Sequence, residues 1–217
     1  MSGALSDMAW RIRELARRAG RPLWGRVQRR WFPDLVDEQW LRTVMNRDVD
    51  AYVGALSPSQ LDVVEISGSH FESWPWRSYT ALHWPAFDLC DPPPIATRYD
   101  VIVCEQVLEH VVDPVVAIRT LRSLCRPGGH LVVSTPFLVR LHDHPGDYWR
   151  FTPAGLQLLL DRGGWREVNV NSWGNEACLR ANVRRWAPRR PWSSLRNDSE
   201  LPLVVWAFAR NSEQVPE

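Results

Sequence analysis

Lysine is absent from this chain of 217 residues: all 26 basic side chains are arginine. Schiff-base formation, pyridoxal-phosphate attachment and the lysine-dependent phosphate chemistry of P-loop proteins and kinases are therefore excluded. Cysteine is also scarce. Cys90, Cys104, Cys125 and Cys178 show neither CxxC spacing nor the density of a disulfide scaffold, which predicts a reducing compartment and argues against a structural zinc site. No segment approaches the ~18 consecutive apolar residues of a membrane span. The amino terminus carries Asp7 and several arginines where a signal peptide has an apolar stretch. Together these gaps predict a cytoplasmic protein with no membrane span. Neither sign of charge dominates, since 26 basic against 25 acidic residues leave a net charge of +1. With 45% hydrophobic and 24% charged residues, the chain has the balance of a soluble globular protein. Its length fits one domain with terminal elaborations.

Leu5, Met8, Ile12, Leu15 and Ala19 recur at helical spacing, and a second helical pattern covers residues 37–56. Ser57 and Pro58 close this part, which reads as a helical extension over residues 1–58 packed on a core domain over residues 59–212. Residues 61–66 form a predicted buried strand ending in the small turn Ser67, Gly68, Ser69, and residues 99–104 form another. Asp113 caps a predicted helix with Pro114 at its first position and Ala117, Leu121, Leu124 and Cys125 on its apolar face. Pro127, Gly128 and Gly129 should stop it before a strand over 130–135. Thr152 and Pro153 start a helix carrying Leu156, Leu159 and Leu160, ended by Gly163 and Gly164. Strands follow near 168–170 and over 203–209, while the Arg-, Trp- and Pro-rich stretch 180–196 is expected to be irregular. Alternating strands and helices imply an α/β protein with a mostly parallel sheet, helices on both faces, and a ligand crevice beyond the carboxyl ends of the strands.

Three strings fall at such strand ends: VVEISGSH at 63–70, YDVIVCEQVLEHV at 99–111 and LCRPGGHL at 124–131. In this order and spacing they resemble class I S-adenosylmethionine-dependent methyltransferases, whose chains read acidic-x-Gly-x-Gly, FDxVxxxxVLEH and LxPGG. The resemblance covers about residues 60–210 and implies a Rossmann-like fold with S-adenosyl-L-methionine as cofactor. Carried over residue by residue, it implies cofactor contacts from Glu65, Ser67, Gly68, Trp84, Asp88, Leu89, Glu105 and Gln106. Ser67 and Ser69 replace family glycines, which predicts an unusual backbone path there. The acidic residue that grips the ribose at the end of the family's second strand is missing; Ala81, Leu82, His83 and Trp84 stand in its place. Glu109 and His110 read as groups that cap and pack the following helix.

The loop after Pro136 gathers His142, Asp143, His144 and Asp147 within six residues. Histidine, with an ordinary pKa near ~6.5, suits proton removal at neutral pH. The loop is therefore a base, a metal site, or a structural turn ordered by its own polar groups. Its ending, DYWRFTP at 147–153, resembles small methyltransferases found with glycan-assembly enzymes, in particular the sugar 1-O-methyltransferases of methylmannose polysaccharide biosynthesis. That resemblance implies a small saccharide as substrate, methylated at the reducing-end hydroxyl, with magnesium assisting. His144 is then the catalytic base, His142, Asp147, Tyr148 and Trp149 touch substrate, and Asp143 and Asp147 are the candidate metal ligands. Trp74 and Trp76 join Trp149 as a candidate sugar-stacking floor or as core anchors.

Eight arginines between Arg11 and Arg30 and five between Arg180 and Arg190 read as a solvated face or as a subunit contact that would make a homo-oligomer. Binding to nucleic acid is not favoured. Two rival functions stay open: a methyltransferase acting on RNA, protein or lipid through these arginines, and a non-catalytic module that has lost its cofactor.

Overall fold

The computed structural model describes residues 38–94, 96–142 and 146–212. The helical pattern from Leu5 to Ala19 and the arginines from Arg11 to Arg30 lie outside the described residues.

Six strands build one sheet: β1 (Asp62–Ile66), β2 (Ser78–Leu82), β3 (Tyr99–Glu105), β4 (Cys125–Pro136), β5 (Arg166–Trp173) and β6 (Val204–Arg210). Their order is β2-β1-β3-β4-β6-β5. β2, β1, β3 and β4 run parallel, and β6 is inserted antiparallel between β4 and β5. Strand order reverses between β1 and β3, so the crevice of an open α/β sheet should lie beyond the carboxyl ends of these two.

Side-chain alternation divides the core into two layers. Val63, Val101, Val103, Val132, Val204, Trp206 and Phe208 face one side, where α1 (Thr43–Ala55) lays Met45, Val49 and Val53 against them. Val64, Ile66, Ile102, Cys104, Leu131, Val133, Val205 and Ala207 face the other, covered by α2 (Pro114–Leu124) and α3 (Pro153–Arg162). With helices on both faces, the central strands can be apolar at nearly every position.

The capping residues act as the sequence suggests. The Asp113 carboxylate accepts from the amides of Val115 and Val116, and Thr152 accepts from that of Gly155. The stop after α2 differs from expectation. The helix ends at Leu124, and β4 begins at Cys125 by pairing with Tyr99 before the register shifts through the glycines. Gly128, at φ 77°, supplies the left-handed residue that this shift needs.

The stretch 180–196 is only partly irregular. A short helix, α4 (Glu176–Asn182), capped by Asn175, occupies its beginning. The remainder is stitched to the start of the described chain: Trp40 donates to Ala187 and Ser194 carbonyls, and Arg189 donates to the Glu38 carbonyl and pairs with its carboxylate at 3.0 Å. At the amino ends of the parallel strands, Arg77 and Arg126 bridge Asp62 and Asp100 at 2.6–3.1 Å. Hydrogen bonds from Arg77, Ser78 and Arg126 hold the Asp62 carboxyl far below the usual carboxylate range.

Because Met45 is fully buried against the sheet, Met45→Ala should cost about 2–5 kcal/mol of folding free energy. Urea unfolding followed by circular dichroism measures it. A loss well under 1 kcal/mol would mean that α1 rests on the sheet without supporting it.

Candidate active site

Two cavities open at the switch point and share Ile66, Ser67 and Gln106. The first, of about 440 Å³, is walled by Trp84, Phe87, Asp88, Leu89, Val107, His110, Val111 and Tyr148. The second, of about 450 Å³, is polar and is walled by Arg42, Asn46, Glu65, Gly68, Ser69, His70 and Glu105. Every cofactor position expected from sequence therefore lies on one cavity wall or the other. His83, the alternative to Trp84, is exposed and lines neither.

Backbone strain marks the divide between the cavities. Ser67, directly after β1, has φ 55°, and Gln106, directly after β3, has φ 56°. Both are side-chain-bearing residues in the left-handed region, where such residues are uncommon. The Ser67 amide donates to the Leu82 carbonyl at 2.8 Å, and the Gln106 amide donates to the Ser134 carbonyl at 2.9 Å, so neighbouring strands hold each one.

Glu65 has a more local task than a ligand-gripping carboxylate. Its oxygens accept from the amides of His70 and Phe71 at 2.8 and 3.1 Å and from the Tyr79 hydroxyl at 2.9 Å. The turn after β1 is thereby wrapped around it, and a Cβ at position 68 would collide with the carboxylate, which makes Gly68 a steric requirement. Asp88 likewise accepts from the Cys90 amide at 2.8 Å, fixing the loop that carries Phe87 and Leu89.

Several groups in the polar cavity went unselected from sequence. His70 sits 3.4 Å from Glu105 and 2.9 Å from Asp50, and the bond to Glu105, then Asp50, raises its pKa against the opposing effect of burial. Arg42 lies 3.6 Å from Glu105. Glu105 Oε1 and Arg42 Nε are buried without hydrogen-bond partners among the described residues. Only His70 carried a signal, as the residue closing the strand-end turn; Arg42 and Asn46 come from the chain before the motifs and have none.

The loop after β4 is described on either side of residues 143–145. His144, expected as the base, and Asp143 lie outside the described residues. Tyr148 reaches the apolar cavity, and Trp149 docks its indole N–H on the Val111 carbonyl at 2.9 Å, beside that cavity. His142 donates its amide to Asp147 at 2.9 Å. Both Asp147 oxygens are taken by the Arg150 guanidinium, so this carboxylate organises the loop and does not offer magnesium the oxygen ligands it prefers. Trp74 and Trp76 pack on Phe71 in the α1-side core, and Trp76 donates to the Phe71 carbonyl; they are core anchors and no part of either cavity.

The reading of Glu109 and His110 as helix-capping groups is overturned. Asp113 caps α2. Glu109 is fully buried, and neither of its carboxylate oxygens has a hydrogen-bond partner among the described residues. His110 lines the apolar cavity.

A sheet with this order, with turns crossing at the β1/β3 switch point, has the architecture of class I methyltransferases. A family model described as a methyltransferase domain matches residues 28–167, and the chain belongs to that family. Curated relatives include the ubiquinone biosynthesis O-methyltransferases of Aeromonas salmonicida, 47% identical over 111 residues, and of Alkalilimnicola ehrlichii, 38% identical over 91 residues. These matches cover 40% and 38% of this chain and 45% and 34% of those proteins, so the chain spans less than half the length of the relatives it matches. Among solved structures, a SAM-dependent methyltransferase of Thermotoga maritima aligns with a TM-score of 0.50 at 13% identity, covering 80% of this chain and 98% of that one. Phosphoethanolamine N-methyltransferase 2 of Haemonchus contortus, solved with S-adenosyl-L-methionine, aligns with a TM-score of 0.52 at 9% identity, covering 77% and 53%. At these identities the structures establish the shared fold.

The Arg150 pair holds the Asp147 carboxyl down at about 2, below its unfolded value near ~3.9. A depressed carboxyl contributes stability that is complete above the unfolded pKa and is lost as pH falls through the folded one. The protection of the His142 amide, measured by hydrogen exchange, should therefore fall between pH ~4 and ~2, and Asp147→Asn should remove that pH dependence. Protection unchanged across this window would contradict the assignment.

Proposed function

We propose that the chain transfers the methyl group of S-adenosyl-L-methionine to a hydroxyl of a small saccharide. The observation that carries this reading is the pair of adjoining cavities, one apolar and one charged, which share Ile66, Ser67 and Gln106. An adenosine suits the first, with Asp88 for its amino group and Leu89, Val107 and Val111 against the base. The methionine end, an ammonium and a carboxylate on one carbon, suits the second, with Glu105 taking the ammonium and Arg42 the carboxylate. Each of these two groups has a buried polar atom without a hydrogen-bond partner among the described residues, which makes them fit to receive such a zwitterion. Trp84 then covers the ribose in place of the missing acidic residue.

The sulfonium is already activated, so transfer needs the acceptor oxygen in line with the methyl group and a group to take its proton. His144 is the proposed base, while Tyr148 and Trp149 flank the acceptor. The saccharide reading rests on the loop ending DYWRFTP and on the polar mouth. A second reading, a hydroxyl of a ubiquinone-biosynthesis intermediate, is favoured by the names of the curated relatives. Methyl transfer from labelled cofactor to a short mannoside, against transfer to a catechol, decides between them.

Cofactor binding is tested first. At 100 times its dissociation constant a ligand adds about 2.7 kcal/mol of stability, so S-adenosyl-L-methionine should raise the melting temperature of the full chain and NAD should not. Gly68→Ala, which displaces the Glu65 turn, should abolish the rise. Equal shifts with both cofactors, or none with either, would end the assignment.

His144→Ala should lower turnover by about 10²–10⁴, the usual cost of a missing general base, with cofactor binding intact. Near-normal turnover would remove His144 from that role.

A further inference from the structure

Glu109 is a charged side chain with no exposed surface, and both of its carboxylate oxygens lack hydrogen-bond partners among the described residues. An unanswered buried carboxylate is among the costliest groups a fold can hold. Two imidazoles face it. The Nε2 atoms of His110 and His142 each lie 3.7 Å from the same oxygen, Glu109 Oε1. That separation is too long for a hydrogen bond.

The far side of each ring explains the orientation. His110 Nδ1 is bonded to the Gly146 carbonyl, and His142 Nδ1 stands 3.2 Å from Asp147 Oδ2. The bonded acceptor places the ring proton of His110 on Nδ1 and leaves its Nε2 lone pair free; His142 Nδ1 makes no hydrogen bond among the described residues, and the Asp147 carboxylate beside it favours the same tautomer. Two Nε2 lone pairs and a carboxylate oxygen then converge on one point, an arrangement that is repulsive until a cation enters it. Metal-binding histidines show the same pattern, with the second nitrogen tied to a carbonyl or a carboxylate. The ligand atoms of Glu109, His110 and His142 all lie within 4.8 Å of one another. Zinc bonds of ~2.1 Å at tetrahedral angles would set such atoms ~3.4 Å apart, close to the 3.7 Å observed.

We propose that Glu109, His110 and His142 form a binding site for a divalent cation of the zinc type. Two imidazoles and one carboxylate are the donors of catalytic zinc and other first-row transition metals, whereas magnesium demands oxygen ligands. The site therefore differs in both ligands and metal from the magnesium site expected at Asp143 and Asp147. Three protein ligands leave at least one coordination position open. His110 also lines the apolar cavity, so the cation stands at the wall of the proposed cofactor pocket. A hydroxyl acceptor can complete its coordination there and be acidified by it. This last role rests on the methyltransferase reading; the binding of the cation does not.

The test uses the full chain, stripped with a chelator and titrated with zinc chloride by calorimetry, with cobalt(II) as a spectroscopic substitute. One zinc per chain is expected, together with a cobalt d–d spectrum of low coordination number. Glu109→Gln and His142→Ala should weaken zinc binding by more than the roughly 10–100-fold that loss of an outer partner costs, and Asp147→Asn by about that amount. Asp88→Asn, across the cavity, should leave it unchanged. If Glu109→Gln fails to fold, His142→Ala, in the loop, carries the test. No binding by the wild type at millimolar zinc, or binding unaltered by Glu109→Gln and His142→Ala, overturns the proposal. The melting shift with S-adenosyl-L-methionine is measured on the same stripped protein. A shift without zinc binding refutes the metal site alone, and zinc binding without a shift refutes the cofactor reading alone.

Discussion

A carboxylate buried as deeply as Glu65, with 2% of the residue exposed, has to be answered by donors, and three converge on it. Two are the amides of His70 and Phe71, five and six residues further along; the third is the Tyr79 hydroxyl on the neighbouring strand. Bonds to an ionised acceptor are the stronger kind, and these set the path of the chain between β1 and β2. With the turn closed in this way, Ser67 is held at its left-handed angle and Gly68 has no room for a side chain. His70 is delivered to Glu105 at the end of the next parallel strand. The crevice is thus shaped by an anion that belongs to its wall.

Much of the architecture is legible in the sequence. Strand and helix alternation gave the three-layer arrangement, and the caps at Asp113 and Thr152 were readable because a side-chain acceptor just before Pro has few other uses at a helix start. The places of Ser67, Gly68 and Gln106 on the cavity walls were legible because these residues follow strands directly, where chain position fixes spatial position. What escaped notice depends on contacts far apart in sequence. Arg42 and Asn46 reach the polar cavity only because α1 packs under the sheet. Trp74 and Trp76 are drawn into the core by Phe71, which no local pattern announces. The short helix α4 runs only its last three residues, 180–182, into the stretch whose composition speaks for irregularity.

Glu109 and His110 are the instructive failure. In sequence they stand just before a capped helix, so helix capping is the economical explanation. That explanation breaks down because Asp113 already supplies the cap and because residues 146–149 fold back over the turn: the Tyr148 and Trp149 amides both donate to the Glu109 carbonyl. The loop thereby seals Glu109 from water and brings His142 to it. A tertiary closure between two loops converts an ordinary exposed dipeptide into a buried anion flanked by imidazoles.

The two ends of the parallel strands answer to protons in different ways. At the amino ends the charges are guanidinium and carboxylate, from Arg77, Arg126, Asp62 and Asp100, and the hydrogen bonds there hold the Asp62 carboxyl far below the usual carboxylate range. At the carboxyl ends stands His70, whose pKa is raised by the neighbouring carboxylates of Glu105 and Asp50. The sheet is therefore a beam with one inert end and one responsive end. Protonation of His70 changes the charge at the rim of the crevice while the foundation beneath it keeps its shape.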